Sequence, residues 1–181
     1  MRASRQGERI RLALTPGEGV VMRHVLGALV SAYKVPPDRI DPRVAGVWYS
    51  ESGCMAAGMS EEETRDWVRQ IHGFKGENLV LIEGWLRQLT EKGSGRMELV
   101  VPVEQAEVFV GALNDHRLRV AAERGIGQEE MELRDIGAAE SLGAERQAAL
   151  MEIHFLAWVI EHVLRLIAPE AADWGADDRH A

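Results

Sequence analysis

Apolar positions recur with a helical period along most of this chain. After Thr15-Pro16, the residues Val21 or Met22, Val25, Leu26, Leu29 and Tyr33 fall three and four apart, which predicts a helix to about Lys34 that ends before Pro36-Pro37. Its start is marked by Thr15 as N-cap, Pro16 in the first turn and Glu18 completing a capping box. Ser60 with Glu63 predicts a second capped helix through Trp67, Val68 and Ile71. Gly73 and Gly76 mark a kink or restart there, before the stripe Leu79, Ile82, Trp85, Leu86 and Leu89. A third helix is predicted from Pro102 to Arg124, stopped by Gly125, and a last one from about Ala144 to Ile167, closed by Pro169.

Two stretches alternate with a period of two instead. Residues 8–14 (Arg9, Ile10, Arg11, Leu12) and 96–101 (Met97, Glu98, Leu99, Val100) read as half-exposed strands, and pairing them satisfies backbone groups that one strand alone leaves open. Residues 35–59 follow neither period, so they form a functional or mobile loop or contain short helices. The expected fold is mainly α, a four-helix bundle-like core with a small two-stranded β element. The expected organisation is a flexible N-terminal arm (1–7), one helical domain (8–168) and a flexible acidic C-terminal tail (169–181).

The phase of the third helix raises a chemical question. At about 100° per residue, Ala106, Phe109, Val110, Leu113, Val120 and Ala121 form its inward stripe, and Arg117 falls inside it. Asn114 and His116 lie on the edges, while Asp115 and Arg119 point outward as an (i, i+4) pair that stabilises the helix by about 0.3–0.5 kcal/mol at most. A guanidinium is costly to bury unpaired, so an acid is expected to answer Arg117, with Glu161, Glu152 and Glu83 as candidates. The alternative is a ligand or anion pocket built from Arg117, Asn114 and Lys75, since Lys75 and Asn78 continue the line of Ile82 and Leu86. The last helix carries a core stripe (Leu150, Ile153, Leu156, Ala157, Ile160, Val163, Leu164, Ile167) and a second apolar line of Met151, Phe155, Trp158 and Leu166. Either it is the central helix of the bundle, or that second line is a homodimer interface.

Composition narrows the chemistry without supplying a reaction. The 181 residues carry a net charge of −8, which argues against nucleic acid as a main partner. The charge is uneven: residues 1–23 hold five arginines against two glutamates. Cys54 is the single cysteine, so no intramolecular disulfide can form, and a cytoplasmic compartment is expected. No signal peptide is read, and the most apolar stretch, 155–160, is too short to span a bilayer. His154, Glu161 and His162 lack the spacing of a zinc helix, so no metal and no cofactor are expected. Cys54 as a nucleophile would need a histidine beside it, with His24, His72 and His116 as the candidates; an oxidisable buried thiol is the simpler reading.

Several segments in this order carry a resemblance. Leu14-Thr15-Pro16-Gly17-Glu18 leads into an apolar helix, followed by Asp41-Pro42 with an aromatic pair, Gly95-Arg96-Met97-Glu98-Leu99, and Ala112-Leu113-Asn114-Asp115-His116-Arg117-Leu118. The chain resembles a bacterial domain-of-unknown-function family that includes the actinobacterial AosR-like oxidative-stress regulators, over roughly residues 8 to 168. The resemblance implies a non-enzymatic regulatory or protein-binding role, with no cofactor and no catalytic residue. His116 departs from the family pattern, and a lone Cys54 leaves only intermolecular or small-thiol redox chemistry. The leading expectation is therefore a cytoplasmic interaction or regulatory module, stress-related and dimeric through the last helix. Its rival is a small-molecule, anion or metal-binding protein, even an enzyme, with a pocket around Arg117.

Overall fold

The computed structural model describes residues 1–91, 96–131 and 143–168. The chain opens with strand β1 (Arg2–Gln6), turns at Gly7-Glu8, and returns as β2 (Arg9–Leu14). Gly7 has φ +59°, a left-handed conformation that costs glycine little and lets so short a loop close. Residues 2–6 are thus a paired strand and not the loose arm expected from their polar composition. Helix α1 (Pro16–Tyr33) begins at the expected capping box: the Thr15 hydroxyl accepts from the Glu18 N–H, and the Glu18 carboxylate accepts from the Thr15 N–H at 2.8 Å.

The irregular stretch resolves into short pieces. A single 3-10 turn (Pro37–Arg39) precedes α2 (Pro42–Tyr49) and α3 (Glu51–Ala56). Asp41 caps α2 by accepting from the Arg43 N–H at 2.8 Å, with Pro42 in the first turn. Helix α4 (Glu61–Glu77) then runs straight through Gly73 and Gly76, and α5 (Leu79–Gln88) restarts one residue later, after Asn78.

Strands β3 (Thr90–Glu91) and β4 (Met97–Pro102) complete an antiparallel sheet of order β1-β2-β4-β3. The expected pairing of the two alternating stretches is present, with Leu12 opposite Leu99 and Ile10 opposite Val101, but it is the middle of a sheet extended on both sides. One face of β2 and β4 is fully buried (Ile10, Leu12, Leu99 and Val101), and the other carries Arg9, Arg11 and Glu98. A 3-10 turn (Val103–Gln105) separates β4 from α6 (Ala106–Arg124), so Pro102 ends a strand instead of starting the helix. Gly125, at φ +62°, closes α6 as a left-handed C-cap. Helices α7 (Gln128–Met131) and α8 (Ala144–Ile167) follow.

The fold is mainly helical, with the sheet on one side. Its principal core joins Ile10, Leu12, Leu26, Leu29, Ile82, Trp85, Phe109, Leu113, Leu156 and Val159, and Trp85 meets Phe109 edge-on at 5.1 Å. A second, smaller cluster (Val120, Ala121, Ile126, Ala149, Leu150 and Ile153) holds the far ends of α6 and α8 together. Residues 169–181, expected as a tail, lie outside the described residues. Among the described residues no helix is long and apolar enough to cross a membrane.

Candidate functional site

Asp115, at the middle of α6, is where the polar side chains converge. Its carboxylate accepts from the Tyr33 hydroxyl at the end of α1 (2.5 Å) and from the Lys75 ammonium of α4. Its backbone carbonyl accepts from the Trp48 indole N–H of α2 at 2.9 Å. Lys75 is only 8% exposed and lies over the Trp48 ring at 5.0 Å and the Tyr33 ring at 5.4 Å. Two aromatic faces and a carboxylate thus replace the water the ammonium loses, and helices α1, α2, α4 and α6 are tied at one point. Burial, followed by the neighbouring Asp115 charge, pushes the Tyr33 phenol far above its usual pKa, so it stays a hydrogen-bond donor.

This geometry revises the reading of Asp115. It does not point outward to Arg119, which faces Glu123 at 3.6 Å and donates to the Ala28 carbonyl. Sequence periodicity places Asp115 off the apolar stripe, but it cannot show that α2 and α4 cover that flank.

A second polar pair lies deeper. His116 is fully buried, not on the edge of the stripe, and its Nε2 meets the Glu152 carboxylate of α8 at 2.6 Å. Burial lowers the His116 pKa, so the ring is neutral at pH 7 and Nε2–H donates to Glu152. Among the described residues the bare Nδ1 has no partner, and protonating it would bury an unpaired N–H. Burial raises the Glu152 pKa, but the His116 hydrogen bond together with the nearby charges of His116, His24 and Arg119 outweighs it, and the net shift is downward. The exposed His24 ring stands edge-on to His116 at 6.4 Å, beside a cleft of about 330 Å³ that Arg119, Glu123 and Glu152 also line.

Arg117 is half-buried, rotated out of the centre that His116 occupies. Its guanidinium donates to Asn114 Oδ1 at 3.3 Å, and burial lowers its pKa. The expected acids serve elsewhere: Glu161 pairs with Arg165 (2.5 Å), Glu152 with His116, and Glu83 with Lys34 (2.9 Å). Lys75 joins Asp115, so the structure does not bring Arg117, Asn114 and Lys75 into one pocket.

Cys54 is buried in α3 as a free thiol. His72, one of the histidines considered for it, is hydrogen-bonded through Nδ1 to the Tyr49 hydroxyl at 3.2 Å. Met151 is exposed, whereas Phe155, Trp158 and Leu166 pack partly against the principal core, and Trp158 meets the His162 ring at 4.2 Å with the two planes tilted by 52°. Among the described residues no group of three or more His, Cys, Asp or Glu side chains is placed to hold a metal ion.

The outer surface of the sheet is chemically distinct. A concavity of about 690 Å³ opens there, lined by Arg2, Arg5, Arg11 and Arg96 together with Ser4 and Gln6, and no described carboxylate lines it. Arg11 is tied to Glu98 at 2.5 Å, while Arg2 and Arg96 are exposed. This basic face belongs to a chain whose net charge is −8, and sequence reasoning noted the arginines without seeing that pairing β1 to β2 gathers them on one surface.

The model of a family described as Domain of unknown function (DUF2017) matches residues 1–167, nearly the whole described structure. The chain belongs to the DUF2017 family. No curated protein and no solved structure matches it. The DUF2017 match covers β1 through α8, so the sheet, the Asp115 junction and the His116–Glu152 pair all lie within the family domain.

Proposed function

We propose that this DUF2017 protein is a cytoplasmic, non-enzymatic interaction module with a regulatory role of the AosR-like kind. The observation that carries the reading is the contrast between its two polar regions. Lys75, Asp115, Tyr33 and Trp48 are spent on one another and hold four helices together, so this junction is used for structure. Charge open to a partner is instead at the surface, where Arg2 and Arg96 are exposed on the arginine-lined side of the sheet. Cys54 fits a packing role, because it is buried and has no second cysteine with which to form an intramolecular disulfide.

Photo-cross-linking in the native host tests this reading. A photoreactive residue placed singly at Gln6, Arg96, Phe74 or Met151 samples the sheet face, α4 and α8. A discrete protein adduct from at least one position, competed away by excess unlabelled chain, is the expected result. No adduct from any position would overturn the proposal. The rival reading, small-molecule binding, moves from Arg117 to the cleft beside His24 and Glu152. It would be favoured if a metabolite raised the melting temperature of the wild type and not of His24→Ala.

A further inference from the structure

The interaction reading can be made specific at β1. This strand is the outer edge of the sheet, paired with β2 on one side only. Among the described residues its far side makes no backbone hydrogen bond. A free edge is a template for another strand, and proteins usually guard it with charge. Here the guard is mainly basic: Arg5 lies near Glu8 at 3.9 Å and Arg11 is tied to Glu98, while Arg2 on the strand and Arg96 beside the concavity are exposed. Such an edge repels basic strands and offers neutral ones no compensation, but it suits an acidic one.

We propose that β1 takes up an extended acidic segment of a partner protein as an additional strand. The claim rests on the interaction-module reading and adds the partner's chemistry. The register of β1 on β2 puts Arg2, Ser4 and Gln6 on the same face as Arg9, Arg11 and Ala13, whereas Ala3 and Arg5 share the opposite face with the buried Leu12 and Ile10. An incoming strand therefore presents carboxylates at alternate positions toward Arg2 and the arginines of the outer face, and small apolar side chains beside Ala3 at the others, where Arg5 is already engaged by the Gly7 and Leu166 carbonyls. Arg5 already donates to the Leu166 carbonyl at the end of α8, so that end of the edge is held in place before the partner arrives. A nucleic-acid strand is the lesser fit. It could satisfy the arginines but not the β1 backbone, no aromatic ring lines the concavity for stacking, and the chain as a whole repels polyphosphate.

Fluorescence anisotropy on the full chain tests this with a labelled peptide of alternating Glu and Val. Saturable binding is expected below roughly 1 mM. Arg2→Glu/Arg96→Glu, with its fold checked by circular dichroism, should bind at least about tenfold more weakly. Two further peptides carry N-methyl groups on one or the other alternate set of amides, with charge unchanged. Only the set that donates to β1 should lose binding, because only those amides join the ladder. Three results overturn the proposal: no saturable binding, equal binding of both N-methylated peptides, or single-stranded DNA of equal length binding as tightly as the parent peptide. Should any of these occur while cross-linking still captures a partner through Phe74 or Met151, the interaction-module reading stands and only the acidic-strand claim falls.

Discussion

Lys75 and Asp115 show at the scale of single residues why a buried charge is informative. An ammonium that is 8% exposed and set between two aromatic rings persists only if its carboxylate partner persists too. Lys75→Met should therefore cost about 3 kcal/mol, the low end for breaking a buried pair because Asp115 keeps some contact with water. Tyr33→Phe removes a hydrogen bond to a charged group and should cost about 1.5–2 kcal/mol. Urea unfolding of both variants and of the double mutant measures these values, and a coupling energy near zero would show that the three groups do not act together. His116 makes a pH prediction whose sign follows from its lowered pKa. Its unperturbed value is 6.5, so from there down to its folded pKa the unfolded chain binds more protons than the folded one, and stability falls as pH falls. Glu152, also shifted down from 4.5, adds a further loss only at more acidic pH. Wild type should thus lose stability on acidification from pH 6.5, and His116→Gln, measured by thermal unfolding across that range, should flatten the upper part of the curve.

Close approaches decide packing at the scale of elements. Gly19 of α1 lies so near β4 that an added Cβ would meet Met97 Sδ at 2.1 Å and Met97 Cβ at 2.9 Å. Gly19→Ala should cost about 1–3 kcal/mol, as overpacking does, and the cost should shrink in a Met97→Ala background. An undiminished cost in that background would mean that the Met97 Sδ and Cγ are not what the methyl group meets. The elements also differ in how far sequence reveals them. Helices α1, α4 and α8 were legible because capping boxes or long apolar stripes announce them, and the β2–β4 pairing because Ile10, Leu12, Leu99 and Val101 alternate. Helices α2 and α3 were not, since elements of eight and six residues are too short to establish a period. Strand β1 has no apolar alternation, and its signal was instead the Gly7-Glu8 step between two arginine-bearing stretches. In α6 the apolar stripe was placed correctly at Leu113 and Phe109, but a histidine filled its centre, and that shifted the inferred phase toward Arg117. The Lys75–Asp115 contact was beyond reach for a different reason: it joins residues 40 apart through tertiary packing alone.

At the scale of the whole molecule, the two apolar clusters set how stability is distributed. The principal core gathers the sheet and most of the helices, whereas the smaller cluster joins α6, α8 and the turn at Ile126, with Met131 of α7 packed against it. Glu152 lies between Leu150 and Leu156 on α8 and its partner His116 between Leu113 and Val120 on α6, where the two clusters meet. The smaller cluster buries few large side chains and is bordered by the exposed Arg124–Glu145 ion pair, so separating it from α6 costs less than opening the rest. Native-state hydrogen exchange should therefore show the amides of 148–150 opening with a smaller free energy than those of 156–163, which exchange only on global unfolding. Lys75→Met destabilises the global transition, so it should lower protection at 156–163 while leaving the opening at 148–150 nearly unchanged. Equal protection along α8 would mean that the helix unfolds as one unit with the core, and that the His116–Glu152 pair couples the two clusters instead of marking the boundary between them.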